Sequence, residues 1–160
     1  MKLLKKVSLV VVLMLGIVLI SGCSETKEQN VEGTLEEIMT KVYEKVSDDQ
    51  KPMALTNIEV TDENIVGFLG TSDIEYESAL ASEPMISSIA HSVVLVRAKD
   101  GANVEDIKTQ IKENVNPRKW VCVGVEPDEV IIENKGDLII VIIVEQEDIR
   151  TLIQEGFNNL

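Results

Sequence analysis

Apolar positions along this chain fall into three patterns, and each predicts a different element. The first is a nearly unbroken run, Val7 to Ile20, interrupted only by Ser8 and Gly16 and preceded by Lys2, Lys5 and Lys6. The second is helical spacing. Leu35, Ile38, Met39, Val42 and Val46 share one face at i, i+3, i+4 and i+7, so Thr34 to Val46 is expected to form an amphipathic helix. Thr34 and Glu37 supply a capping box, and Glu36 and Glu37 sit at the positive end of the helix dipole. Val104, Ile107, Ile111 and Val115 mark a second helix, with Asn103 as its cap and Pro117 beyond its end. Ile149, Leu152, Ile153 and Phe157 mark a third, from Glu147 to Phe157. A brief helical turn is expected through Glu63, Asn64 and Ile65, closed by Gly67 and Gly70.

The third pattern is strand alternation. In His91 to Ala98, His91, Val93, Leu95 and Arg97 point one way and Ser92, Val94, Val96 and Ala98 the other. Leu138 to Val144 is apolar throughout and must be covered on both faces. It pairs with Val130 to Glu133 across a hairpin connection at Asn134-Lys135-Gly136-Asp137. Weaker strands are expected at Leu55 to Val60, at Tyr76 to Ala81 (with Ser82-Glu83-Pro84 as punctuation) and at Trp120 to Val125. The order predicts a single α+β domain over residues 34–160: a mainly antiparallel sheet of about four or five strands packed by about three helices. Either helices cover both faces of the apolar strands, or one face meets a second copy in a homodimer.

The initial run is about 14 residues long, short of the roughly 20 that a membrane helix needs. With its basic start it fits the hydrophobic region of an export signal over residues 1–22. Leu19-Ile20-Ser21-Gly22-Cys23 resembles the lipobox of bacterial lipoproteins. That resemblance implies cleavage between Gly22 and Cys23, a diacylglyceryl thioether on Cys23 and an acylated amino terminus, with palmitate as a typical chain. Each buried CH₂ contributes about 0.8 kcal/mol, so two or three chains hold a protein firmly. The expected location is therefore the extracytoplasmic face of the cell membrane. Residues 23–33 read as the lipidated Cys and an acidic tether, of which Ser24 to Glu32 would span about 15–18 Å as a random coil.

Charge sharpens the picture. The chain carries 15 basic and 28 acidic residues. Without Lys2, Lys5 and Lys6 the net charge is near −16, which argues against nucleic acid as a partner and against electrostatic attachment to an anionic surface. Lipidation of Cys23 would leave Cys122 as the only other cysteine, so no intramolecular disulfide is expected. Cys122 is either a reactive thiol or an intermolecular bridge, or, as its alternation with valines favours, a buried small hydrophobe.

Candidate chemistry is sparse. His91 is the only histidine; it is either a general base or ligand, or a strand residue with its ring hydrogen-bonded inside the fold. Ser87, Ser88 and Ser92 lie nearby without a nucleophile-elbow pattern. One histidine, one thiol and no CxxC give zinc no usual ligand set, and the acidic pairs match no calcium loop, so neither metal nor cofactor is expected. Pro117-Arg118-Lys119-Trp120 joins a basic cluster to the single tryptophan. Arg118 and Trp120 would together suit an anionic or aromatic ligand; alternatively Trp120 plugs the core edge and the charges solvate a loop.

Met85 to Arg97 and Lys135 to Val144 resemble a family of small lipoproteins defined by a domain of unknown function, mainly from Gram-positive, Clostridia-type anaerobes. The resemblance covers about residues 34–157. It implies an exported, lipid-anchored α/β domain and supplies no catalytic residues. Together these readings favour a non-enzymatic interaction module. The alternatives are a small envelope-acting hydrolase using His91, or a solute-capture lipoprotein.

Overall fold

The computed structural model describes residues 30–160, so the export signal, Gly22 and Cys23 lie outside the described residues. The elements are helix α1 (Leu35–Val42), strand β1 (Leu55–Val60), short helix α2 (Ile65–Leu69), β2 (Tyr76–Pro84), β3 (His91–Ala98), α3 (Val104–Asn114), a single 3₁₀ turn (Pro127–Glu129), β4 (Ile131–Lys135), β5 (Leu138–Val144) and α4 (Glu147–Asn158). The five strands form one sheet in the order β1-β2-β3-β5-β4, antiparallel at every pairing.

Helices cover both faces. Leu80, Val93, Leu95, Leu138, Ile140 and Ile142 pack against Ile38, Met39 and Val42 of α1 and Ile153 and Phe157 of α4. On the other face Ala81, Val94, Val96, Ile139, Val141 and Ile143 meet Ile65 and Leu69 of α2 and Ile107 and Ile111 of α3. This explains how β5 can be apolar at all seven positions, each of them buried. No second subunit is needed to cover it.

The caps form where expected. Thr34 Oγ1 accepts from the Glu37 amide at 3.2 Å and Glu37 returns a carboxylate to the Thr34 amide at 3.0 Å. Asn103 Oδ1 accepts from the Glu105 and Asp106 amides at the start of α3. The β4–β5 hairpin turns through two residues, with Gly136 at φ +55°, the positive φ that the first residue of a Gly-X hairpin turn requires.

Three boundaries differ from expectation. Strand β2 does not stop at Ala81 but runs through Pro84. The Met85 amide donates to the Ala54 carbonyl, so the residues of β2 bonded to β1 are the odd-numbered ones. Pro84 therefore aims its ring nitrogen toward β3, where pairing has already ended at Ser82–Val93, and no ladder bond is lost. Trp120 to Val125 is not a strand. The Val125 amide closes a loop back to the Pro117 carbonyl at 2.9 Å, and Cys122 takes φ +63°, incompatible with extended backbone. Cys122 is exposed rather than buried, because its alternation with valines reflects this loop and not a pleat.

Third, packed structure begins before Thr34. Arg97 donates to the carbonyls of Val31 and Gly33 at 3.1 and 3.3 Å, and Val31 packs against the α1–α4 core. Asn30 Oδ1 accepts from the Asp137 amide at 3.3 Å. The N-terminal segment thus joins the domain at the sheet end that carries the C-terminus of β3 and the β4–β5 turn.

Candidate functional site

Three groupings carry polar chemistry, and the strand register sets each of them. The first surrounds His91. It opens β3 on the α1 face, 1 % exposed, with Nε2 2.7 Å from the Tyr43 hydroxyl and the two rings stacked at 6.0 Å. Burial holds its pKa down at about 4, so the ring is neutral at pH 7. Burial likewise pushes the Tyr43 hydroxyl above its ordinary range, with Ser82 acting in the opposite sense. Tyr43 and Ser82, not His91, reach an open cleft of about 380 Å³ beside Lys51, Leu55 and Asn57. His91 is thus the enclosed, hydrogen-bonded strand residue of the plainer reading.

Ser92 cannot serve His91, because strand alternation sends it to the opposite face. Its Oγ is buried and has no hydrogen-bond partner among the described residues. A buried, unsatisfied hydroxyl costs about 1–3 kcal/mol. Ser92→Ala is therefore expected to raise stability by about 1 kcal/mol, read as a higher urea midpoint with unchanged slope. A lower midpoint would mean that Ser92 has an essential partner.

The second grouping is the basic loop, which spends its charges internally. Arg118 pairs with Glu126, and both are exposed. Trp120 is half-buried against the α2–α3 core. Lys119 of that cluster has a role the sequence reading did not assign it. Its Nζ lies 2.5 Å from Glu83 Oε1, 4.8 Å from the Phe68 centroid and 5.3 Å from that of Trp120, and it donates to the Gly67 carbonyl at 3.1 Å. With Lys119 and Glu83 both mostly buried, this pair fastens the loop to β2 and α2. Arg118 and Trp120 are not brought together around an open space.

The third grouping had no motif to announce it. A cleft of about 560 Å³ opens between the first turn of α1, the C-terminal end of β1 and the start of β2. Glu36, Glu59, Asp62 and Glu77 line it, together with Arg97. The guanidinium of Arg97 is committed to Asp137, Val31 and Gly33, while Glu36, Glu59 and Glu77 form no ion pair among the described residues. Asp62 accepts from the Tyr76 hydroxyl at 2.7 Å; burial and this bond push that hydroxyl up to about 12. Both clefts flank α1 and open along β1. Only the folded register could reveal this, since the four carboxylates come from three separate stretches of sequence.

Among the described residues, no group of three or more His, Cys, Asp or Glu side chains could hold a metal ion. Also among the described residues, no helix is long and apolar enough to cross a membrane. At the opposite end of the sheet Met53, Met85 and Val121 are exposed, with Cys122 beside them. Scattered exposed apolar residues of this kind are ordinary.

The fold defines an α+β domain with a five-stranded antiparallel sheet between helices, with an acidic cleft against one edge strand. No protein-family model matches the chain, and neither does a curated protein or a solved structure.

Proposed function

We propose that this protein is an exported lipoprotein, anchored through Cys23 on the outer face of the cytoplasmic membrane, and that its domain is a non-enzymatic binding module. The observation that carries the binding reading is the acidic cleft, whose Glu36, Glu59 and Glu77 have no ion-pair partner among the described residues. Unpaired carboxylates around a concave surface favour a cationic partner. The lipobox-like ending at Gly22-Cys23 supports the anchor. About seven residues separate Cys23 from Asn30, a reach of at most about 25 Å even when fully extended, so the cleft that includes Gly33 and Thr34 would work close to the membrane.

Metabolic labelling with a radioactive fatty acid tests the anchor. The wild-type chain is expected to take up label and sediment with membranes, and Cys23→Ala to lose both. An unlabelled wild type ends the lipoprotein reading. One observation favours a hydrolase instead, the polar partner of His91 at 2.7 Å. Against it stand the enclosure of that ring and the absence of Ser92 from its face.

A further inference from the structure

We infer that the open edge of β1 takes an additional strand, an extended basic segment of a partner protein whose side chains lie over the acidic cleft. The inference rests on the cleft-binding reading above and names the partner's chemistry and mode of attachment.

The register supplies the first half of the argument. Because the Met85 amide bonds to the Ala54 carbonyl, the pairs Thr56–Glu83, Ile58–Ala81 and Val60–Ala79 are the hydrogen-bonded ones. Leu55, Asn57 and Glu59 therefore aim their N–H and C=O groups away from β2. Among the described residues no strand pairs with that side, and its one recorded bond is from the Asn64 side chain to the Glu59 carbonyl at 3.0 Å. Three amide donors and two carbonyls remain, spaced as a partner strand would need them.

The other edge of the sheet is treated differently. On β4, Glu133 is bonded to Gln154 of α4 and Asn134 to Lys108 of α3, and Lys135 binds the carbonyls of Asn158 and Leu160. All five residues of β4 are half-buried. The side chains of β4 are thus tied to both helical layers, whereas Asn57 and Glu59 of β1 are exposed.

The second half is charge. Leu55, Asn57 and Glu59 share a face with Leu80, the α1 side of the sheet, so a strand added to β1 would project alternate side chains over the cleft. There they meet Glu36, Glu59, Asp62 and Glu77, with the one lining guanidinium already engaged. A second copy of this chain would bring the same carboxylates to the junction. Charge therefore selects a segment with Lys or Arg at alternate positions, bound by strand addition.

The test uses the lipidated protein in detergent micelles with two eight-residue peptides, one alternating Lys and Val and the other Glu and Val. The Lys peptide is expected to bind, more weakly as salt rises from about 0.05 to about 0.2 M, and to slow amide exchange at Leu55, Asn57 and Glu59. Asn57→Pro removes an outward-facing N–H that no internal bond uses, so it should weaken binding about tenfold or more and leave the fold intact. Glu59→Lys with Glu77→Lys should reverse the preference between peptides.

Equal binding of the two peptides overturns the inference. So does protection of the β1 amides at high protein concentration without peptide, which would make a second copy the occupant. If the Lys peptide perturbs Glu36 and Glu77 but leaves β1 exchange and the Asn57→Pro affinity unchanged, strand addition falls while the cleft-binding reading stands. If neither peptide perturbs the cleft, both fall.

Discussion

Gly156→Ala is expected to destabilise the domain by about 2 kcal/mol, although alanine is the better helix former. Gly156 lies within α4, where helix propensity alone favours alanine by about 1 kcal/mol. A Cβ at this position would sit 2.2 Å from the carbonyl oxygen of Val42 and 2.9 Å from its carbon, at the C-terminal end of α1. The obstruction is backbone, so no side-chain rotation relieves it and the helices must move apart. Overpacking of this kind costs about 3 kcal/mol, enough to reverse the propensity gain. For a domain of this size the thermal midpoint should fall by roughly 5–10 °C. Gly67→Ala is the matched control, because its Cβ would meet nothing within 4 Å; it should be neutral or mildly stabilising. Equal behaviour of the two variants would show that α1 and α4 are not held this closely in solution.

Acid should remove a further, separable share of the stability through His91. The ring titrates near 6.5 when unfolded and at about 4 in the fold, where burial disfavours its charged form. Between those values the unfolded chain binds more protons, so stability falls as pH drops from about 6.5 and the loss is complete near pH 4. The full effect is roughly 3 kcal/mol. Tyr43 faces the ring directly, Ser82 lies on the same face of the sheet, and Glu83 acts on Tyr43 electrostatically. Urea unfolding of wild type and His91→Asn at intervals from pH 7 to pH 4 separates this histidine from the carboxylates that titrate in the same range. Asparagine retains an acceptor for Tyr43 and has no proton to gain. The wild type should lose stability more steeply; parallel profiles would show that His91 charges freely and is not enclosed.

The two outcomes follow from different levels of the chain. The helical stripes on α1, α3 and α4, the capping residues Thr34, Glu37 and Asn103, and the alternation in β3 were all legible in sequence, because each reports a local periodicity that the backbone imposes. The same rule misled at Trp120 to Val125. There valines recur at every second position in a closed loop, and Cys122 has positive φ. Pro84 misled in the opposite sense, since a proline ends a strand only when its missing donor faces a partner.

The candidate site was less legible than the fold. His91 was conspicuous as the single histidine, yet its meaning depended on Tyr43, 48 residues earlier, which sequence inspection gave no reason to pair with it. Arg118 and Trp120 stand out in the sequence, but Lys119 between them holds the loop through Glu83 and Phe68. Glu36, Glu59, Asp62 and Glu77 carry no motif and become a cleft only when β1 pairs with β2 in one register.

Sequence by itself determined the α+β class, the antiparallel hairpin around Gly136 and the strongly acidic balance, and it carries the leader-like stretch ending at Cys23. Each of these depends on neighbours along the chain or on a sum over it. Tertiary structure alone decided that helices cover both faces of β5, that Cys122 is exposed, and that β4 side chains are tied to both helical layers while Asn57 and Glu59 of β1 are exposed. Those properties depend on which distant residues the register brings within a few ångströms, and neither local periodicity nor composition carries that information.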